Sequence, residues 1–172
     1  MGKAGAGTAA SVIDVGGGQS TLARDLLAAG YRDVTVLDIS EAALAGARTE
    51  LGADADRIHW IAGDVTEAPL PAATYDIWHD RAVFHFLVSP SQREAYTRQA
   101  ARALKTGGHL ILSAFALNGP ERCSGLDVVR YSAASLGAEL GAGFRLVESV
   151  EERHRTPGGG EQPFVYCLFE LA

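Results

Sequence analysis

The sequence predicts a three-layer αβα sandwich on a mostly parallel seven-stranded sheet, with the last two strands forming an antiparallel hairpin. Three observations carry that reading. Short apolar runs alternate with segments of helical period, the pattern of linked βαβ units. The first apolar run passes directly into Gly16-Gly17-Gly18. Four successive runs end at or beside an aspartate: Asp14, Asp38, Asp64 and Asp80. In an open α/β sheet the ligand lies beyond the carboxyl ends of the strands. A glycine turn followed by a row of carboxylates therefore reads as a nucleotide-type cofactor site.

Each element follows from local pattern. Val12 to Val15 is the first strand. From Thr21 the period turns helical, with Leu22, Leu26 and Ala29 on one face and Gly30 as the stop. Val34 to Leu37 is the second strand. Ser40 caps a helix whose Leu44, Ala47 and Leu51 repeat at helical spacing. Ile58 to Ala62 and Tyr75 to His79 are strands three and four. Ser91-Gln92-Arg93-Glu94 reads as a capping box. The helix it opens turns Tyr96, Ala100, Ala103 and Leu104 inward and stops before Gly107-Gly108. His109 to Phe115 is a continuous apolar run, the signature of a central strand.

After Leu117 the rhythm changes. Residues 118–131 are polar, contain Gly-Pro and show no period; they read as an excursion over the substrate edge of the sheet. Ser132 to Leu140 is a helix, and Phe144 to Val150 and Phe164 to Leu171 are the last strands. No helix joins these two, so they pair antiparallel across a turn at Thr156-Pro157-Gly158-Gly159-Gly160. Met1 to Ala10 is Gly/Ala-rich and reads as a flexible segment ahead of one domain spanning 11–172.

Bulk properties narrow the function. A chain of 172 residues supports one sizeable core. A net charge of −6 argues against nucleic acid and anionic membrane as general partners. Two cysteines are too few for a disulfide framework, and no signal-peptide core is present, so a cytoplasmic protein is expected. The His, Cys and Asp spacings match no metal motif, so no metal is expected.

The ordered segments VIDVGGG, VTVLDIS, WIAGDVT, YDIWHDR and RALKTGGHLILS resemble the class I S-adenosylmethionine-dependent methyltransferases, which have a Rossmann-like fold. The resemblance covers about Ser11 to Phe115. It implies S-adenosyl-L-methionine as cofactor. It places Asp14, the Gly16-Gly17-Gly18 turn and Ser20 near the methionine part. Asp38, followed by Ile39, would bind the ribose hydroxyls. Asp64 and the Val65 N–H would hold the adenine, and His79 and Asp80 would face the methionine end of the cofactor and the reacting centre. Within the class, the stretch from Trp78 through the Cys-Ser-Gly loop looks most like an uncharacterised bacterial group of small methyltransferases. Trp78-His79-Asp80-Arg81 followed by Pro90-x-x-x-Glu94-x-Tyr96 distantly resembles the thiopurine and related thiol methyltransferases. A nicotinamide dehydrogenase would need glycine at position 21, where Thr21 stands.

A small-molecule acceptor is expected, with protein-lysine methylation, or cofactor binding with little turnover, as alternatives. Catalytic candidates are His79, Asp80 and His85, since histidine titrates near neutral pH. Substrate candidates are Arg81, Phe84, Cys123, Arg130 and Tyr131. Relatives of this class usually carry helices before the first strand that cover the cofactor. With only ten residues there, an open site and a possible homodimer are expected.

Overall fold

The computed structural model describes residues 7–155 and 160–172. The expected turn at Thr156 to Gly160 falls largely outside these residues, as does most of the Gly/Ala-rich start. The elements are β1 Ser11–Val15, α1 Leu22–Ala28, β2 Asp33–Asp38, α2 Glu41–Leu51, β3 Ile58–Ala62, β4 Tyr75–Arg81, α3 Pro90–Ala103, β5 Leu104–Phe115, β6 Arg122–Cys123, β7 Leu126–Asp127, α4 Ala133–Leu140, β8 Phe144–Arg155 and β9 Glu161–Leu171. Seven strands form one sheet in the order β3-β2-β1-β4-β5-β9-β8. β1 to β5 pair in parallel; β9 pairs antiparallel with both β5 and β8. The expected sandwich and terminal hairpin are present.

The two faces carry different cores. On one, Val12, Val34, Val36 and Ile77 pack under Leu26 and Leu27 of α1 and Leu44 of α2. On the other, Trp78, Leu110, Leu112 and Phe169 pack under Tyr96 and Ala100 of α3 and Leu136 of α4. The central strands are buried on both faces, which is why they read as continuous apolar runs.

Several boundaries differ from the sequence reading; β4 runs on to Arg81 and β9 starts at Glu161. The capping box opening α3 uses Ser89 and Gln92, with Pro90 in the first turn, rather than Ser91 and Glu94. Proline there lacks the N–H that a helix start leaves unpaired anyway, so the helix is capped two residues earlier. β5 starts at Leu104 rather than His109, because Leu104 pairs with Tyr75 ahead of an irregularity, and regular pairing resumes at Ile77 opposite His109. Gly107 (φ +74°) sits in that irregularity. β8 runs on through the charged Glu151 to Arg155, whose ladder partners are Val165 to Glu161.

No helix joins β3 to β4. The connecting loop buries Ala68 and Leu70, and α3 satisfies its carbonyls: Gln99 Nε2 donates to Ala68 O and Arg102 Nη2 to Leu70 O at 2.6 Å. Gln99→Leu removes one of two donors to the Ala68 carbonyl, the other being the Leu70 N–H at 2.8 Å, and takes the Oε1 acceptor from Arg102. The expected loss is about 0.5–1.5 kcal/mol of stability, read by urea denaturation.

Candidate functional site

A cleft of about 500 Å³ lies beyond the carboxyl ends of β1 to β4. Gly16, Asp38, Ile39, Asp64 and Val65 form one side. Arg81, Val83, Phe86, Leu87 and Leu126 form the other.

The glycine turn is shaped by close approach. Gly16 has φ +72° and donates its N–H to Leu37 O at 2.7 Å; a Cβ there would collide with Val83 Cγ2. A Cβ on Gly17 would collide with Asp14 Oδ2, and one on Gly18 would lie 2.8 Å from Asp38 Oδ2. The Asp38 carboxylate binds the turn to the next helix. Its Oδ2 accepts from Gly18 N–H at 3.0 Å and its Oδ1 from Ser40 N–H at 2.8 Å, while Ser40 Oγ caps α2 through Ala43 N–H. Asp64 Oδ1 accepts from the Thr66 N–H and hydroxyl, and its Oδ2 has no partner among the described residues. The Val65 N–H has no partner among the described residues. Bare backbone, a carboxylate after β2, and a free carboxylate oxygen next to a free N–H match what an adenosine group requires: close contact, acceptors for ribose hydroxyls, and an acceptor–donor pair for adenine.

The other side hangs on Asp80. Its carboxylate is fully buried and accepts from Val83 N–H at 2.8 Å, Phe84 N–H at 3.1 Å and Tyr96 Oη–H at 2.7 Å. Tyr96 in turn accepts from Trp78 Nε1 at 2.9 Å. Burial pushes the Asp80 carboxyl up to about 6 against the pull of these donors, and burial pushes the Tyr96 hydroxyl well above its usual range. The expected catalytic role for Asp80 is thereby corrected: no atom of it reaches the cleft, and it anchors the segment that does.

Other expectations are also corrected. His85 is fully buried between the rings of Phe86 and Phe115, at 4.5 and 4.7 Å. Neither ring nitrogen has a partner, and burial pushes it down to about 4, so it is a neutral core residue rather than a catalytic one. Phe84 is core as well, packed on Tyr96 and Tyr131. Tyr131 is buried, its hydroxyl pushed up to about 12 by desolvation, and neither residue lines the cleft. Arg130 turns back to Gly119 O and Glu121, and Cys123 sits half-buried in β6. Arg81 does line the cleft, with no ion-pair partner among the described residues. Gly17, Gly18 and Ser20 line a separate groove of about 360 Å³ behind the turn, between α1 and α2. His79 Nδ1 meets Asp14 Oδ1 at 2.7 Å, below the turn.

Leu126, Phe86, Leu87 and Gln92 also line the cleft, and the sequence reading missed them. Ser124 (φ +50°) and Gly125 (φ +82°) turn the β6–β7 hairpin, braced by an Arg122–Asp127 ion pair at 3.1 Å. The Ser-Gly pair is a legible turn signal, but nothing local says where its Leu126 points. Leu126 is 61% exposed and Ile39 74%, an apolar residue on each lip.

The methyltransferase domain family matches residues 12–108. The chain belongs to that family. Two ubiquinone/menaquinone biosynthesis C-methyltransferases are similar to this methyltransferase. The one from Methylobacterium nodulans is 35% identical over 162 residues, covering 86% of this chain and 60% of that protein. The one from Roseobacter denitrificans is 29% identical over 150 residues, covering 82% and 59%. The chain thus spans about three fifths of the length of these relatives. The fold matches a S-adenosylmethionine-dependent methyltransferase from Methanosarcina mazei, with TM-score 0.82 and 16% identity over 96% of this chain and 94% of that one. It also matches the Burkholderia thailandensis 1,6-didemethyltoxoflavin-N1-methyltransferase, solved with its substrate and S-adenosylhomocysteine. There the TM-score is 0.74 and identity 23%, covering 95% and 72%. The cofactor of this methyltransferase is S-adenosyl-L-methionine, and the cleft residues fit its adenosine end.

The Asp80 carboxyl sets a pH dependence. Its folded value, about 6, lies above the ordinary 3.8, so folding favours its protonated form. That contribution is complete below about pH 4 and is lost as pH rises through about 6. Between pH 5 and pH 8 the wild type is expected to lose about 1.5 kcal/mol relative to Asp80→Asn, read as the difference between paired denaturation curves. A constant difference would refute it.

Proposed function

We propose that this methyltransferase transfers the methyl group of S-adenosylmethionine to a small ring-containing acceptor. The observation that carries this is the cleft's two-sided lining. Gly16, Asp38, Ile39, Asp64 and Val65 suit the adenosine end, and Arg81, Phe86 and Leu126 offer a cation and apolar surface across from it. Bound there, S-adenosylmethionine supplies an electrophilic methyl group on a sulfonium sulfur. The protein's part is alignment and exclusion of water. Asp38 would hold the ribose hydroxyls, Asp64 and Val65 the adenine, and Leu126 and Ile39 would close the lips of the cleft.

A small acceptor is supported by the named roles of the similar C-methyltransferases. The net charge of −6 disfavours a nucleic acid. Among the described residues no helix is long and apolar enough to cross a membrane.

Calorimetric titration with S-adenosylhomocysteine tests the cofactor side. Wild type should bind it and not NAD. Asp38→Ala removes charge-assisted bonds worth about 1.5–3 kcal/mol each, so affinity should fall at least about tenfold. Equal binding by the variant would refute the assignment of Asp38.

A further inference from the structure

The charges that line the cleft are segregated. Asp38 and Asp64 lie after β2 and β3, and Arg81 on β4 is the only lysine or arginine among the lining residues. The strand order is β3-β2-β1-β4. Neighbouring strands lie about 4.8 Å apart, which puts β4 roughly 10 Å from β2 and roughly 14 Å from β3. Arg81 therefore stands at the end of the cleft away from the adenosine contacts.

Its backbone is held on both sides. Asp80, before it, is tied to the N–H groups of Val83 and Phe84 and to the Tyr96 hydroxyl. Ala82, after it, lies in the left-handed region (φ +68°) and donates its N–H to Ser113 O at 3.0 Å. A residue with a side chain keeps that conformation only where its surroundings over-determine it, and such positions gather at ligand sites. The guanidinium, in contrast, is exposed and has no hydrogen-bond or ion-pair partner among the described residues. Arg93, Arg102, Arg122 and Arg130, on α3 and the excursion, are each engaged, with Glu139, Gln99, Asp127 and Glu121. The one cation inside the cleft is thus fixed at its root and free at its tip.

We propose that Arg81 is the specificity-determining residue for the acceptor, which carries a carboxylate on a flat apolar ring. The proposal rests on the methyltransferase reading and narrows it. A guanidinium presents paired N–H donors in one plane, the geometry that a carboxylate fills with two parallel bonds. Phe86 and Leu126 line the same cleft and give the ring apolar contact. Asp38 and Asp64 repel an acid from their end, so charge alone orients the acceptor toward β4. The methionine part of the cofactor carries a carboxylate too, so the same chemistry has a second source, which the test separates.

Amide NMR of the full chain saturated with S-adenosylhomocysteine is that test, with benzoate and its neutral analogue benzamide as probes. Charge-assisted hydrogen bonds separate the two, so benzoate should bind about tenfold more tightly or better. It should shift the amides of Ala82, Phe86 and Leu126. Arg81→Gln should bring the two affinities within about twofold of each other. Equal affinities in the wild type, no benzoate shift at those residues, or a preference that survives in Arg81→Gln would each overturn the proposal. The second source is read by titrating Arg81→Gln with S-adenosylhomocysteine and with methylthioadenosine, which lacks the methionine carboxylate. Both should bind the variant as they bind the wild type. Weakened S-adenosylhomocysteine binding would assign Arg81 to the cofactor and overturn its acceptor role, leaving the methyltransferase reading in place. Failure of the wild type to bind S-adenosylhomocysteine at all would overturn that reading itself.

Discussion

One buried carboxylate organises one whole side of the cleft. Asp80 ends β4 inside the core, where an unpaired charge would be intolerable. It is tolerated because three donors converge on it from two directions. Two are the N–H groups of Val83 and Phe84, which force the chain to turn sharply at Ala82 (φ +68°) after the strand. The third is the Tyr96 hydroxyl on α3, itself held by Trp78. Strand, turn and helix are thereby locked at one point. Val83, placed by this bond, packs into the space that a side chain at Gly16 would fill. The glycine turn is thus shaped from two sides, by Asp38 behind it and by the Asp80 turn in front.

This arrangement sorts the four strand-end aspartates into three different tasks. Asp38 and Asp64 line the open cleft. Asp80 is withdrawn into the apolar layer under α3, where desolvation competes with its donors. Asp14 faces the other layer and meets a histidine. All four lie within two residues of a strand's carboxyl end. What separates them is the face of the sheet each side chain takes and what lies over that face.

The β6–β7 hairpin completes the cleft from a distant part of the chain. Residues 116–131 return beside β5 through an Ala116–Tyr131 bridge, and Val129 N–H is held by His85 O. That root is deep in the core, built on Tyr131, Phe84 and Phe115. Several residues that look chemical in sequence are spent on this foundation, and the only side chain of the excursion that lines the cleft is an aliphatic one, Leu126.

Much of the fold was legible in the chain itself, because it is written in local period and punctuation. Apolar runs flanked by Gly30, Ser40 and Gly107 define strands and helices through backbone preference alone, and the absence of a helix after Phe144 makes the last pair a hairpin. The order of motifs from Val12 to Ser113 likewise pointed to one side of the cleft, since Gly16, Asp38, Ile39, Asp64 and Val65 line it near the strand ends. The other side was not legible. His79, Asp80, Arg81, Phe84 and His85 are neighbours in sequence, yet a strand and a tight turn send them to opposite faces and different depths. Burial then decides their chemistry: Asp80 becomes an anchor, His85 a neutral packing group, Arg81 a free cation at the cleft. Side-chain type and spacing determined what each residue could do. Only the packing of α3 and the excursion against the sheet decided which of them meets water, because desolvation depends on neighbours that lie far away along the chain.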